Sequence, residues 1–191
     1  MGRSMHRQHA SLLTRLLLGL LAVLAFAAGV TTVQAQDVAV GSATATVLTV
    51  LTVSADATLA FGNVYQGVPT TIANNNSSAA IFTIAGAAES GVLIYFQLPE
   101  YLSLSDYSDR MTVTFGATDC SVDSTATGDP TQMNASRGWQ NINPRAIPSG
   151  TAVGGGGQTN VYLGGKVYPS PGQKAGSYSA DIILTVAYEG S

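Results

Sequence analysis

The sequence is poor in histidine, cysteine, tryptophan and charge. It contains two histidines, one cysteine and one tryptophan in 191 residues, and 10% of its residues are charged. Both histidines, His6 and His9, lie near the N-terminus, so the rest of the chain has none. Hydrolases that use a Ser–His–Asp or Cys–His arrangement, and zinc sites with histidine ligands, are therefore excluded from that remainder.

The single cysteine, Cys120, cannot form a disulfide within the chain. It is a buried small side chain, a free thiol or a cross-link between chains. Its surroundings, Thr118–Asp123, are polar and typical of a loop, which favours a free thiol without a role. We therefore expect the fold to be stabilised by packing and by hydrogen bonds between strands.

Residues 1–35 have the three-part pattern of a secretory signal peptide. Three arginines precede an apolar stretch over residues 16–30, and Val33–Ala35 offers a cleavage site. The apolar stretch is short for a membrane span, so an uncleaved anchor is disfavoured. We expect Sec-dependent export into the periplasm, then to the cell surface or the extracellular space, with no membrane span in the mature chain.

The mature chain, residues 36–191, has the length of one domain with its own core. The whole chain carries a net charge of −3, and removing the arginines of the signal peptide makes the remainder more acidic. A sparse acidic surface argues against nucleic acid or an anionic membrane as partners.

The mature chain shows short segments of alternating apolar and polar residues, separated by turns rich in Gly, Pro, Asn and Ser. This pattern is typical of an antiparallel β-sandwich, and we find no convincing helix, repeat or second domain. The predicted strands are Leu59–Val64, Ala80–Ala85, Val92–Leu98, Met111–Phe115, Asn160–Tyr168 and Tyr178–Tyr188.

The two ends of this pattern suggest an incomplete sandwich. In the strand predicted at Tyr178–Tyr188, residues Ala180, Ile182, Leu184 and Val186 share one face, and no partner strand follows. At the other end, residues 36–50 form a Val/Thr/Ala-rich segment without an obvious partner of its own. This segment either fills the groove of another copy or forms the first strand of its own complete domain.

A long polar stretch, residues 116–158, separates two of the predicted strands. It either hides a weak strand or is an elaborated surface loop held to the core by Trp139. Together with Asn141 and Asn143, Trp139 could also bind a sugar by stacking and hydrogen bonding.

Other candidate sites in this stretch are weak. Asp119, Asp123 and Asp129 lack the alternating spacing and the glutamate of an EF-hand loop, so we expect solvated loop carboxylates. The glycine run 154–157 is not followed by the lysine of a phosphate-binding loop. We therefore expect no metal, no cofactor and no catalytic residue.

Five segments occur in an order that resembles a known group of proteins. They are similar to those of an uncharacterised family of secreted bacterial proteins related to spore coat protein U and to archaic chaperone–usher pilins, and the likeness covers essentially the whole mature chain. The cysteine pair of the spore-coat group is absent, and Val50–Val53 occupies that region. The five segments are Leu59–Val64, Ile81–Gly86, Tyr95–Pro99, Val161–Val167 and Ala175–Tyr188.

This resemblance implies an immunoglobulin-like domain that lacks its last strand and receives the N-terminal strand of a neighbour. The protein would then be a non-enzymatic, structural subunit of a surface fibre or pilus. Its partners would be other copies or related subunits, with a periplasmic chaperone and an outer-membrane usher. The donor residues would be Val38, Val40, Ala43, Ala45 and Val47, and the acceptor residues Ile182, Leu184, Val186 and Tyr188.

A second hypothesis keeps the fold and changes the function. In it, the protein is a secreted carbohydrate-binding adhesin, or a matrix or coat protein, that acts through the loop over residues 116–158.

Overall fold

A computed structural model describes Ala45, residues 47–133 and residues 140–190 of the chain. In this part the chain forms β-strands and one short 3-10 helix, Pro130–Gln132. The strands are β1 (Thr52–Ala57), β2 (Thr70–Ile72), β3 (Ala80–Ala85), β4 (Gly91–Gln97), β5 (Tyr101–Leu104), β6 (Arg110–Thr114), β7 (Cys120–Asp123), β8 (Thr151–Ala152), β9 (Gln158–Leu163), β10 (Gly165–Tyr168), β11 (Tyr178–Ser179) and β12 (Ile183–Tyr188).

The strands pair in an antiparallel manner and form three sheets. Their orders are β1-β3-β9-β7, β11-β5-β6-β10-β2 and β12-β4-β8. The three-stranded sheet continues the five-stranded one, because β4 leads into β5, β11 leads into β12, and these segments pair with each other in both sheets. The sheets pack as a sandwich, so the predicted all-β antiparallel fold is confirmed.

One hydrophobic core lies between the layers. The alternation predicted for Ala80–Ala85, Val92–Leu98 and Met111–Phe115 is confirmed, because every second side chain of these segments points inward. The rings of Phe82 and Phe96 meet edge to face, with their centroids 5.4 Å apart. The buried core comprises Ala80, Phe82, Ile84, Phe96, Met111, Val113, Phe115, Cys120, Val161, Leu163 and Val167.

The strand predicted at Asn160–Tyr168 is divided at Gly164, where the chain passes from one layer to the other. Strand β9 pairs with β3 and β7, whereas β10 pairs with β6 and β2. A Cβ atom at Gly164 would overlap the carbonyl oxygen of Ile72 and the amide nitrogen of Asn74. The corner therefore requires glycine, since the two backbones approach too closely for a side chain.

The strand predicted at Leu59–Val64 is wrong. This segment has no regular pairing, although Leu59, Phe61 and Val64 pack against the core as the alternation suggested. The N–H of Ala60 donates to the carbonyl of Ser78 at 3.0 Å, and Gly62 has a positive φ of 66°. The alternation therefore predicts correctly which side chains face the core, but a strand also needs a neighbouring strand to which its backbone can hydrogen-bond.

The polar stretch over residues 116–158 is not one surface loop. It contains β7, the 3-10 helix and β8, so the weak strand allowed by the sequence is present. Cys120 is a free thiol, as expected, but it is fully buried in β7, so the expected position in a polar loop is wrong. Burial raises the pKa of its thiol to about 12, which makes it unreactive at neutral pH.

The strand predicted at Tyr178–Tyr188 forms as two strands, β11 and β12, with residues 180–182 between them. Its alternation is confirmed, because Ile182, Leu184 and Val186 face the core while the residues between them are exposed.

The predicted signal peptide lies outside the described residues, as do Val38, Val40 and Ala43 of the predicted donor segment. In the described part of the chain, no helix is long and apolar enough to span a membrane.

Candidate functional site: an open apolar groove

A groove of about 1320 Å³ opens between the two layers along one side of the sandwich. One wall is formed by residues 55 and 57–66, and the other by residues 173–182. The floor is formed by core side chains, Phe82, Leu102, Met111, Val113, Phe115 and Val167. In the rest of the core, apolar side chains of one layer pack against the other layer. The floor side chains face the groove instead.

The first wall begins with the edge strand β1. This strand pairs with β3 alone, and Val53 and Ala55 lie opposite the inward-facing Ile84 and Phe82. Val53 is nevertheless 40% exposed, and Ala55 is exposed as well. Strand β12 comes close to part of β1, but Ala55 lines the groove, so this inward-facing residue remains open to solvent.

The second wall, residues 173–182, includes β11 and ends just before β12. Strand β11 lies at the end of its sheet, where it pairs with β5 alone. Its free edge and the following residues 180–182 border the groove. The groove therefore lies between two sheet edges, which is the arrangement that accepts an added strand.

Both walls carry small side chains where they face each other. Ala55, Ala57, Ala60, Ala175 and Ala180 all line the groove. Short side chains keep the floor accessible, and they suit an occupant with small or medium aliphatic residues.

Hydrogen bonds join the two walls at one end of the groove. The side-chain amide of Gln66 donates to the carbonyl of Gln173 at 2.6 Å, and the N–H of Gly67 donates to the carbonyl of Pro169 at 3.2 Å. The buried side-chain amide of Gln173 donates in turn to the Asp109 carboxylate at 2.7 Å. This end of the groove is therefore fixed by a buried polar network.

Asp109 is the centre of that network. Its carboxylate accepts hydrogen bonds from the N–H of Lys174 at 2.8 Å and from the hydroxyl of Tyr178 at 2.7 Å. These two hydrogen bonds, the Lys174 one first, lower the pKa of Asp109. The ionised carboxylate holds the second wall against the end of β6.

Tyr188, the last residue of β12, connects the segment before β1 with the loop after β3. Its hydroxyl donates to the carbonyl of Thr49 at 2.9 Å and accepts from the N–H of Ala87 at 2.6 Å. Leu51 reaches the same place, because a Cβ atom at Gly86 would collide with both Leu51 and Tyr188. Among the predicted acceptor residues, Ile182 lines the groove, Leu184 and Val186 pack against the core, and Tyr188 does not line the groove.

The described part of the predicted donor segment lies outside this groove. Ala45 is exposed, Val47 is 94% exposed and Val50 is 82% exposed, and residues 47–51 form no strand. None of them lines the groove.

The predicted sugar-binding loop is engaged in internal contacts. The side-chain oxygen of Asn141 accepts from the amide of Asn74 at 3.2 Å, and that of Asn143 accepts from the N–H of Arg145 at 3.0 Å. Ile142, between them, pairs with Cys120. Trp139 lies outside the described residues. The two asparagines therefore serve the local fold.

The expectation of solvated loop carboxylates is wrong for Asp123, which is buried at the end of β7. Burial by itself raises the pKa of this carboxyl, but hydrogen bonds from the hydroxyls and amides of Thr125 and Thr127 outweigh it and lower the pKa to about 2. The hydroxyl of Tyr162 also donates to Asp123, at 3.1 Å. Asp123 thus holds the loop after β7 over the outer side of β9.

The other two aspartates cap local turns. Asp119 accepts from the N–H of Gly116 at 2.7 Å, and Asp129 accepts from the N–H of Thr131 at 2.9 Å at the start of the 3-10 helix. Within the described ranges, no group of three or more metal-binding side chains is present.

Sequence reasoning missed most of the first wall. Ala55, Ala57 and Ala60 carry no chemical motif, and only their recurrence as small residues before an apolar segment hints at a groove.

Comparison of the chain with protein-family models, with curated proteins and with solved structures finds no match.

Proposed function

We propose that this protein is a non-enzymatic structural subunit that joins copies of itself, or related subunits, by β-strand complementation. The observation that carries the proposal is the apolar groove between two sheet edges, with core side chains as its floor. A strand placed there would pair with both edges and cover the floor in one step.

The N-terminal segment has the composition that such a groove accepts. The proposed donor residues are valines and alanines, which match the alanine-lined walls, and Val47 and Val50 are exposed and do not line the groove of their own chain. Ten residues, 38–47, extend roughly 33 Å at about 3.3 Å per residue. The proposed donor residues are Val38, Val40, Ala43, Ala45 and Val47.

Burial of the donor would supply a substantial driving force. Four aliphatic side chains at about 1–2 kcal/mol each contribute on the order of 4–8 kcal/mol before the cost of ordering the segment. The backbone hydrogen bonds to the two edges add to this total, each on the order of 1 kcal/mol net.

Under this proposal the domain is an immunoglobulin-like sandwich that lacks its closing strand, and the polymer is a fibre on the cell surface. Export through the periplasm, with a chaperone that covers the groove before assembly, belongs to the same proposal. The resemblance to spore coat protein U and archaic pilins supports it.

The test uses two variants that are defective in complementary ways. Deletion of residues 37–47 removes the donor and leaves the groove, whereas Ala57→Trp fills the groove and leaves the donor. We expect each variant alone to remain monomeric, and a mixture of the two to form a one-to-one dimer by size-exclusion chromatography with light scattering. Polymers of the deletion variant, equal to those of the intact protein, would reject the proposal.

The matched control for the tryptophan is Ala187→Trp. Ala187 is exposed on the outer side of β12 and does not line the groove. This variant should assemble as the intact protein does, which separates a filled groove from a general effect of an added tryptophan.

A further inference from the structure

The outer side of the five-stranded sheet carries two exposed tyrosines at a fixed separation. Tyr101 of β5 and Tyr168 of β10 lie opposite the same residue of β6, Thr112. The tyrosines are 46% and 41% exposed, while their neighbours Leu102 and Val167 point into the core. Two strand spacings place the two side chains about 10 Å apart.

Two cations lie beside this tyrosine pair. The ammonium group of Lys166 lies 4.8 Å from the centre of the Tyr168 ring, and Arg110 is exposed on β6, two residues from Thr112. Within the described residues, neither cation forms a salt bridge. The two charged side chains of the outer face at this place are therefore both positive, on a chain whose net charge is −3.

We propose that this surface, the tyrosine face (Tyr101, Arg110, Thr112, Lys166 and Tyr168), binds an extended acidic polysaccharide. The C–H groups of a pyranose sugar pack on the negative face of an aromatic ring. The two tyrosines can therefore contact the first and the third sugar of a β-1,4-linked chain. Lys166 and Arg110 bind the carboxylates of that chain.

The tyrosine face and the groove are on opposite sides of the same strands. Met111 and Val113 of β6 belong to the groove floor, whereas Thr112 between them points outward. Filling the groove therefore leaves the tyrosine face exposed, and the inference does not depend on strand complementation. In a polymer the face would recur in every subunit and would bind a long chain with increased avidity.

The experiment measures binding of the purified protein to β-1,4-polymannuronate, with neutral β-1,4-mannan as the uncharged probe of the same linkage. We expect binding to polymannuronate that weakens with added salt, and clearly weaker binding to mannan. The double variant Tyr101→Ala/Tyr168→Ala should bind polymannuronate at least about tenfold more weakly. Tyr107→Ala, at an exposed tyrosine of a turn, is the matched control and should bind normally.

A second pair of substitutions tests the charges separately. Lys166→Gln with Arg110→Gln should weaken binding to polymannuronate, reduce its salt dependence and leave binding to mannan unchanged. The groove variant Ala57→Trp, which cannot polymerise, should still bind polymannuronate with the affinity of a single subunit and without the avidity of the polymer, so a failure of strand complementation would not be mistaken for a failure here. Absence of polymannuronate binding, or equal binding by the double tyrosine variant, would overturn the proposal.

Discussion

Strands β9 and β1 belong to the same sheet, yet their surroundings differ almost completely. Strand β9 has β3 and β7 at its sides, and five of its six residues are buried. Strand β1 has β3 alone at its side, and five of its six residues are exposed. Both strands contain residues with high β-propensity, such as Val161 and Val53, so composition does not explain the difference.

The difference arises from what covers each strand. The outer side of β9 is covered by the loop after β7, whose Thr127 and Gly128 hydrogen-bond to Tyr162 and Asn160. The inner side of β1 opens on the groove instead. On one side of the sandwich, which we call the closed side, the strands are buried by other parts of the same chain, whereas on the open side apolar side chains of the core remain exposed in the groove.

The largest effect is expected at the corner that leads away from β9. In Gly164→Ala, the new methyl group would overlap the backbone of Ile72 and Asn74, and we expect a loss of roughly 3 kcal/mol in the free energy of unfolding. Urea denaturation measures this loss. The control Gly155→Ala meets no atom within 4 Å and should be nearly neutral. If Gly164→Ala leaves the free energy of unfolding unchanged, the backbones at this corner are packed less tightly than the structure indicates.

On the open side, a strand added from outside should stabilise the domain. The chain without residues 37–47 is mixed with a synthetic peptide of residues 36–50, and at 100 times the dissociation constant we expect about 2.7 kcal/mol of stabilisation. The rise in melting temperature measures it. A peptide with aspartate in place of Val40 and Ala43 is the control, since a charge cannot enter the apolar groove without cost. If the natural peptide does not raise the melting temperature, the groove does not accept this strand and the proposed difference between the two sides of the sandwich is wrong.

Acid should weaken the closed side through Asp123. Because the pKa of this carboxyl is lowered to about 2 in the folded protein, its contribution is complete above the ordinary pKa near 4 and is lost as the pH falls towards 2. Between pH 4 and pH 2 the free energy of unfolding should fall in both proteins, and the fall should be smaller in Asp123→Asn than in the intact protein, by on the order of 1 kcal/mol. Denaturation at several pH values measures this, with Asp181→Asn in the open wall as control. Equal pH dependence in the intact protein and Asp123→Asn would contradict this role.

The smallest effect is expected at Tyr188, at the end of β12. Tyr188→Phe removes the hydroxyl that bonds to Thr49 and Ala87, at a cost of about 1 kcal/mol. Exposed Tyr95→Phe is the matched control and should be neutral in thermal unfolding. An unchanged melting temperature for Tyr188→Phe would mean that these two hydrogen bonds do not stabilise the domain.

The elements that could be predicted are those whose pattern is set by the core. Ala80–Ala85 forms a strand with the predicted bounds, because alternation along one chain segment reports which face is buried. Strand β7 was hidden, because Ser121 and Asp123 are polar residues that are buried only through contacts distant in sequence. Leu59–Val64 shows the opposite error, since alternation does not reveal whether a partner strand is present.

The candidate site was predictable only in part for the same reason. Ile182 was expected to line a groove and does so, because it follows from the alternation of the final segment. The facing wall at Ala55 and Ala57 depends on how the layers are placed, which no local pattern encodes. The tyrosine face depends on strand register, which brings Tyr101 and Tyr168 opposite Thr112.

Disulfide trapping between two different chains tests the central proposal most directly. One chain carries a single new cysteine in the donor segment, Ala43→Cys, and the other carries one in the groove wall, Ala180→Cys. Cys120 does not compete, because it is buried and its pKa is raised to about 12. Strand complementation predicts that mild oxidation of the mixture gives disulfide-linked heterodimers. No heterodimer, together with rapid closure inside a single chain that carries both substitutions, would contradict it.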